Sequence, residues 1–191
     1  MPNEKRDTGN LDSANRTSVE RTAYHEAGHM VVAAALGLTL RAEGLHVDPL
    51  GAGLACFSKQ PDGSDLSRER IIVAIFAGYI AQERSHPDSI WQLDTDWQEA
   101  HTLLGEMSIE STEVTRERLL KRSRQLVNQY WLAVKALASA LLARNWVPQV
   151  RLESGARWAQ STTTTEKHMT AEEIINLLAH YGITAVCGTT S

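Results

Sequence analysis

The chain has 191 residues, 42% hydrophobic and 22% charged, which gives room for one domain with a real core and none for a second catalytic domain. Its formal net charge of -4 removes the usual reason to expect nucleic acid as a partner, and its two cysteines, Cys56 and Cys187, lack the Cys-x-x-Cys spacing of a thiolate metal cluster. Apolar runs are interrupted too often, as by Lys135, to reach the ~20 residues of a membrane span.

In chain order, residues 1–16 carry little apolar side chain beyond Met1, Leu11 and Ala14, so the expectation is a mobile polar tail. A polar start without the apolar stretch of a signal peptide, with sparse cysteines, predicts a cytoplasmic location. A single domain is expected over 17–182, with a polar insertion at about 149–168 and a loose C-terminus over 183–191. Thr17 and Glu20 form a capping box for a helix over about 18–36, and an apolar run from Met30 carries it to a helix-ending Gly37. Leu38, Leu40, Leu45 and Val47, then Leu54, Ala55, Cys56 and Phe57, predict two strands joined by a turn at Pro49 and Gly51.

Ser64 or Asp65 caps a helix over 66–84 whose centre, Ile71 to Gly78, is apolar nearly all round and therefore buried. Thr95 and Gln98 offer a capping box for a helix to about Met107, and Thr112 opens the longest helical segment, 113–144. Its basic run of Arg116, Arg118, Lys121, Arg122 and Arg124 reads as a solvated face. The polar stretch up to His168, with Thr162 to Thr165, reads as a flexible loop, and Thr170 to Glu173 caps a last helix ending near Gly182. The expected fold class is mainly α with a small β-sheet.

The chemistry concentrates in Tyr24-His25-Glu26-Ala27-Gly28-His29, a His-Glu-x-x-His string on the first helix. Residues four apart on a helix share a face, so His25 and His29 can direct their imidazoles at one ion. Glu26, one residue round, is placed beside the open position of that ion, where a carboxylate can take a proton from water. Two histidines and a carboxylate decorating a half-buried helix without a metal would cost several kcal/mol, which argues against coincidence.

A zinc hydrolase site takes three protein ligands and a water. The extended form with Gly and a third His at positions 32 and 35 is excluded by Val32 and Ala35. Glu43, His46, Glu83, His86, Asp94, Asp96, Glu99 and His101 remain as candidates, and spacing does not choose among them. For an oxyanion donor, Tyr24, His86 and His101 stand open.

The string from Thr22 to His29 resembles the signature of the zinc peptidase domain of FtsH-type AAA proteases. The resemblance extends to Pro49-Leu50-Gly51 before a strand and to Ala77-Gly78-Tyr79-Ile80-Ala81-Gln82-Glu83, similar to that family's Gly-Gly-Arg-x-Ala-Glu-Glu helix. It continues in Thr95-Asp96-Trp97-Gln98-Glu99-Ala100, similar to its Asn-Asp-Leu-x-x-Ala, whose Asp is the third zinc ligand. A weaker match links Leu137 to Leu142 and Met169 to Ile174 with the closing helices.

What the resemblance implies is a zincin-like helical peptidase fold, zinc on His25, His29 and Asp96, and Glu26 as general base. It implies endopeptidase activity on unfolded or extended polypeptide. Ala77, Tyr79 and Trp97 depart from the family pattern, and no Gly-x-x-x-x-Gly-Lys-Ser/Thr loop for an ATPase occurs. A separate ATPase partner and a homo-oligomer stay open. The alternative reading is a metal-stabilised adaptor or regulatory domain that binds unfolded segments or an ATPase and cleaves little, against which the intact Glu26 weighs.

Overall fold

A computed structural model describes residues 8–88, 95–107, 111–152 and 161–188. The fold is mainly helical with a small sheet, in the order α1 (Thr8–Ala35), β1 (Leu40–Val47), β2 (Gly53–Phe57), α2 (Asp65–Ser85), α3 (Thr95–Gly105), α4 (Thr112–Gln129), α5 (Trp131–Leu142), β3 (Val147–Leu152), β4 (Ser161–Met169), α6 (Ala171–Ala179) and β5 (Cys187–Gly188). No helix of the described residues is long and apolar enough to cross a membrane.

α1 and α2 form the centre. Their middles are buried all round, Met30 to Ala34 on one and Ile71 to Ala81 on the other, as continuous apolar runs require. They approach closely at Gly28, where a Cβ would lie 2.5 Å from the Ala77 carbonyl oxygen and 2.6 Å from the Ala81 methyl. α1 ends in a Schellman motif: Leu38 N–H reaches Ala33 O at 2.9 Å and Gly37 N–H reaches Ala34 O at 3.0 Å, with Gly37 at φ +74°. The start of α2 is set by Ser64, whose hydroxyl accepts from Ser67 N–H at 3.1 Å.

The sheet runs β2-β1-β4-β3, with β5 alongside β1. β1 and β2 are antiparallel, and Asp48 shapes their turn by accepting from the N–H groups of Leu50 and Ala52, both at 2.9 Å. Thr22 ties that turn to α1 by donating to Gly51 O at 2.7 Å. β2 is thereby laid across the motif face of α1.

Several expectations need correction. α1 begins at Thr8, so the Thr17 and Glu20 pair lies inside the helix; the expected polar tail is helical over 8–16, while residues 1–7 lie outside the described residues. The segment 113–144 is two helices, α4 capped by Ser111 rather than opened by Thr112, and α5 after a break at Tyr130. Past that break, Trp131 stacks on Tyr24 at 5.8 Å and under the Arg84 guanidinium at 4.4 Å, contacts that turn the chain back onto α1.

The expected polar insertion at 149–168 is strand over 149–152 and 161–168, and residues 153–160 lie outside the described residues. β3 and β4 pair antiparallel from Val147↔Glu166 to Leu152↔Ser161, and β4 continues against β1. Consecutive threonines are β-branched and fit a strand, and here that preference prevails over their polarity. The C-terminal stretch is not loose throughout, since β5 pairs with β1 at Leu40↔Cys187 and Ile183 is buried; residues 189–191 lie outside the described residues. The basic run on α4 meets carboxylates: Arg118 and Arg122 at Glu69, Arg124 at Glu83, and Arg116 at Glu113.

Candidate metal centre

His25 and His29 lie one turn apart on α1, both buried, and face the first turn of α3, where Asp96 enters from the other side. The His25 and His29 Nε2 atoms are 2.9 Å apart, and Asp96 Oδ2 lies 3.3 Å and 3.0 Å from them. Among the described residues this is the one trio of His, Cys, Asp or Glu whose ligand atoms come so close, and it could hold a metal ion.

The opposite edges of the imidazoles are fixed. His29 Nδ1 meets the Ala74 carbonyl oxygen at 2.9 Å, and His25 Nδ1 meets Gln82 Oε1 at 3.0 Å. A carbonyl oxygen accepts and cannot donate, so each ring donates from Nδ1, and a ring that carries only that proton turns a lone pair at Nε2 inward. Two lone pairs and a carboxylate oxygen then converge on one point, an arrangement that repels itself unless a cation or an added proton lies between them.

Tetrahedral bonds of about 2.0–2.2 Å hold ligand atoms roughly 3.3–3.5 Å apart, so the trio needs to open by only a few tenths of an ångström to admit zinc. The outer hydrogen bonds are the usual partners of metal-bound histidine. The residues therefore fit the ion.

Gly78 makes the space for the His29 ring: a Cβ there would stand 2.4 Å from Nε2. Tyr79, the next residue on α2, places its ring edge-on to His25 at 5.0 Å. Glu26 is buried, and β2 passes directly over it, since a Cβ on Gly53 would come within 2.8 Å of Glu26 Oε1. Burial pushes the Glu26 carboxyl up to about 7, reinforced by Asp96 and opposed by His25, Lys59 and the Ala55 N–H bond. Burial would also raise Asp96, but the facing His29 and His25, with Lys59, hold its carboxyl well below the ordinary range.

A cavity of about 480 Å³ opens onto this group, lined by His25, Glu26, His29 and Asp96 together with Lys59, Tyr79, Gln82 and residues of β2.

The other sequence candidates lie elsewhere. Glu43 pairs with Arg41, His46 with Glu166 at 3.1 Å, and Glu83 with Arg124 at 3.7 Å. His86 bonds Ser85 Oγ at 2.9 Å, and His101 is exposed against the Trp97 ring at 5.3 Å. Glu99, one turn from Asp96 on α3, is bound to the Lys59 ammonium at 2.6 Å. Asp94 lies outside the described residues. Tyr24, His86 and His101 do not line the cavity.

Sequence reasoning missed Lys59, Gln82 and the Ala74 carbonyl. Gln82 had a signal, one helical turn past Gly78 on the face toward α1; a lone lysine after a strand and a backbone oxygen carry none. No family model matches the chain, and no curated protein matches it.

Proposed function

We propose that the chain is a zinc-dependent endopeptidase of the His-Glu-x-x-His type, acting on unfolded or extended polypeptide and akin to the FtsH-type peptidase domain. The observation that carries this reading is the convergence of three acceptors, His25 Nε2, His29 Nε2 and Asp96 Oδ2, beside a buried carboxylate of raised proton affinity. Zinc held by the trio would polarise a scissile carbonyl and acidify the attacking water.

Glu26 does the proton work. In the metal-free site burial raises its carboxyl to about 7, and beside the trio this carboxylate could take a proton from water and return it to the leaving amine. Its position is held from two sides, by the α1 backbone and by the Ala55 N–H. β2 ends the sheet path and lines the cavity, so its outer edge is where an extended polypeptide would add as a further strand, bound through main-chain groups with little regard to sequence. Such a mode suits unfolded segments.

The test is cleavage of an unfolded protein such as reduced casein by zinc-loaded protein, with and without a chelator. Cleavage that stops with 1,10-phenanthroline and returns with added zinc is the expected result. Zinc-loaded protein that binds casein without cleaving it would overturn the enzyme reading in favour of the adaptor.

A further inference from the structure

Lys59 follows β2 and reaches back into the cavity, half-buried, with its ammonium 5.5 Å above the Phe57 ring. Its Nζ lies 2.6 Å from Glu99 Oε2 and 3.4 Å from Asp96 Oδ1. Asp96 and Glu99 are one turn apart on α3, so one ammonium binds two carboxylates of that helix from the sheet side of the cavity. The oxygen it takes on Asp96 is Oδ1, and the oxygen left facing the imidazoles is Oδ2.

We propose that Lys59 is a positioning residue for the metal centre: it holds Asp96 by Oδ1 so that Oδ2 stays turned to the two histidines, and Glu99 offsets its charge. This rests on the metal reading of the trio. The Glu99 contact answers the obvious objection, because a bare ammonium this close to a divalent ion would repel it. With Glu99 at 2.6 Å the pair supplies an N–H donor to Asp96 and little net charge. A carboxylate ligand whose second oxygen is hydrogen-bonded keeps its orientation when the ion leaves, and loss of such a partner commonly costs 10- to 100-fold in metal affinity.

Two simpler roles make different forecasts. If Lys59 were only a cation opposing the metal, its removal would tighten zinc binding. If it only packed the strand end, its removal would leave zinc affinity unchanged.

The experiment is zinc titration against a competing chelator for the wild-type chain and for Lys59→Met, Lys59→Arg and Glu99→Gln, paired with the visible spectrum of each cobalt(II)-loaded protein. Lys59→Met is expected to bind zinc about 10- to 100-fold more weakly and to shift the cobalt bands as the carboxylate ligand loosens. Lys59→Arg, whose guanidinium can donate to both carboxylates, should bind zinc more tightly than Lys59→Met, with the wild-type spectrum restored. Glu99→Gln should also weaken zinc, because it leaves the ammonium uncompensated; Lys59→Ala, read by the same outcomes as Lys59→Met, keeps the test decisive should the latter fail to fold. Equal or tighter zinc binding by Lys59→Met, or by Glu99→Gln, overturns the proposal. A wild-type chain that binds no zinc removes the metal reading itself and the role of Lys59 with it.

Discussion

Glu26→Gln is expected to lower peptide cleavage by about 100-fold or more while zinc content stays at the wild-type level. Gln has the shape of Glu and can keep the contact with Ala55 N–H, but it cannot accept the proton of the attacking water. The same substitution should stabilise the metal-free protein. The folded-state pKa of Glu26 is raised to about 7 from an ordinary 4.5, so folding disfavours the ionised form. That cost is absent below about pH 4.5, grows as pH rises toward 7, and is fully present above it. At 1.36 kcal/mol per pKa unit, the metal-free Gln variant gains roughly 3 kcal/mol at pH 8 and nothing at pH 4. Zinc analysis, casein cleavage and denaturant melts at the two pH values check this. Loss of zinc in the variant would make Glu26 a ligand, and undiminished cleavage would remove it as the base.

Gly78→Ala should abolish tight zinc binding without replacing any ligand. The added methyl would stand 2.4 Å from His29 Nε2 and 2.5 Å from Cε1, closer than carbon atoms pack. The ring has no retreat, because it is buried and its Nδ1 is bound to Ala74 O at 2.9 Å. Either the ring turns away and the trio loses a member, or α1 and α2 separate. A drop of at least about 100-fold in zinc affinity is expected, larger than the loss of an outer hydrogen bond, together with about 1–3 kcal/mol of stability from overpacking. The sign is diagnostic. Gly→Ala in an unobstructed helix interior stabilises by up to about 1 kcal/mol, so a variant that melts higher and binds zinc as before would contradict the geometry.

The parts of this arrangement that were legible in the sequence are those carried by local rules. A two-histidine face follows from helical spacing at His25 and His29, the end of α1 from Gly37, and the start of α2 from Ser64 or Asp65, of which Ser64 is the cap. Burial of α2 follows from an apolar run too long to face water on any side. On spacing alone Asp96 is one of eight candidates, and only likeness to a family motif singles it out; the structure places it against the histidines.

What was not legible depends on partners distant in the chain. The threonine run of β4 reads as a loop until β1 and β3 are there to pair with it. Tyr130 looks like one more apolar position in a long helix, and the break there answers to Tyr24 and Arg84 on other elements. Lys59 and the Ala74 carbonyl have a role only once β2, α2 and α3 surround the same cavity.

The claim on which the rest depends is that His25, His29 and Asp96 hold one zinc ion. Anomalous diffraction at the zinc edge, from crystals of protein purified with zinc, tests it without reference to activity. The expected result is one strong peak per chain, about 2.0–2.2 Å from His25 Nε2, His29 Nε2 and an Asp96 carboxylate oxygen. No peak between those three residues, or a peak held by the histidines with another residue in place of Asp96, would contradict the account.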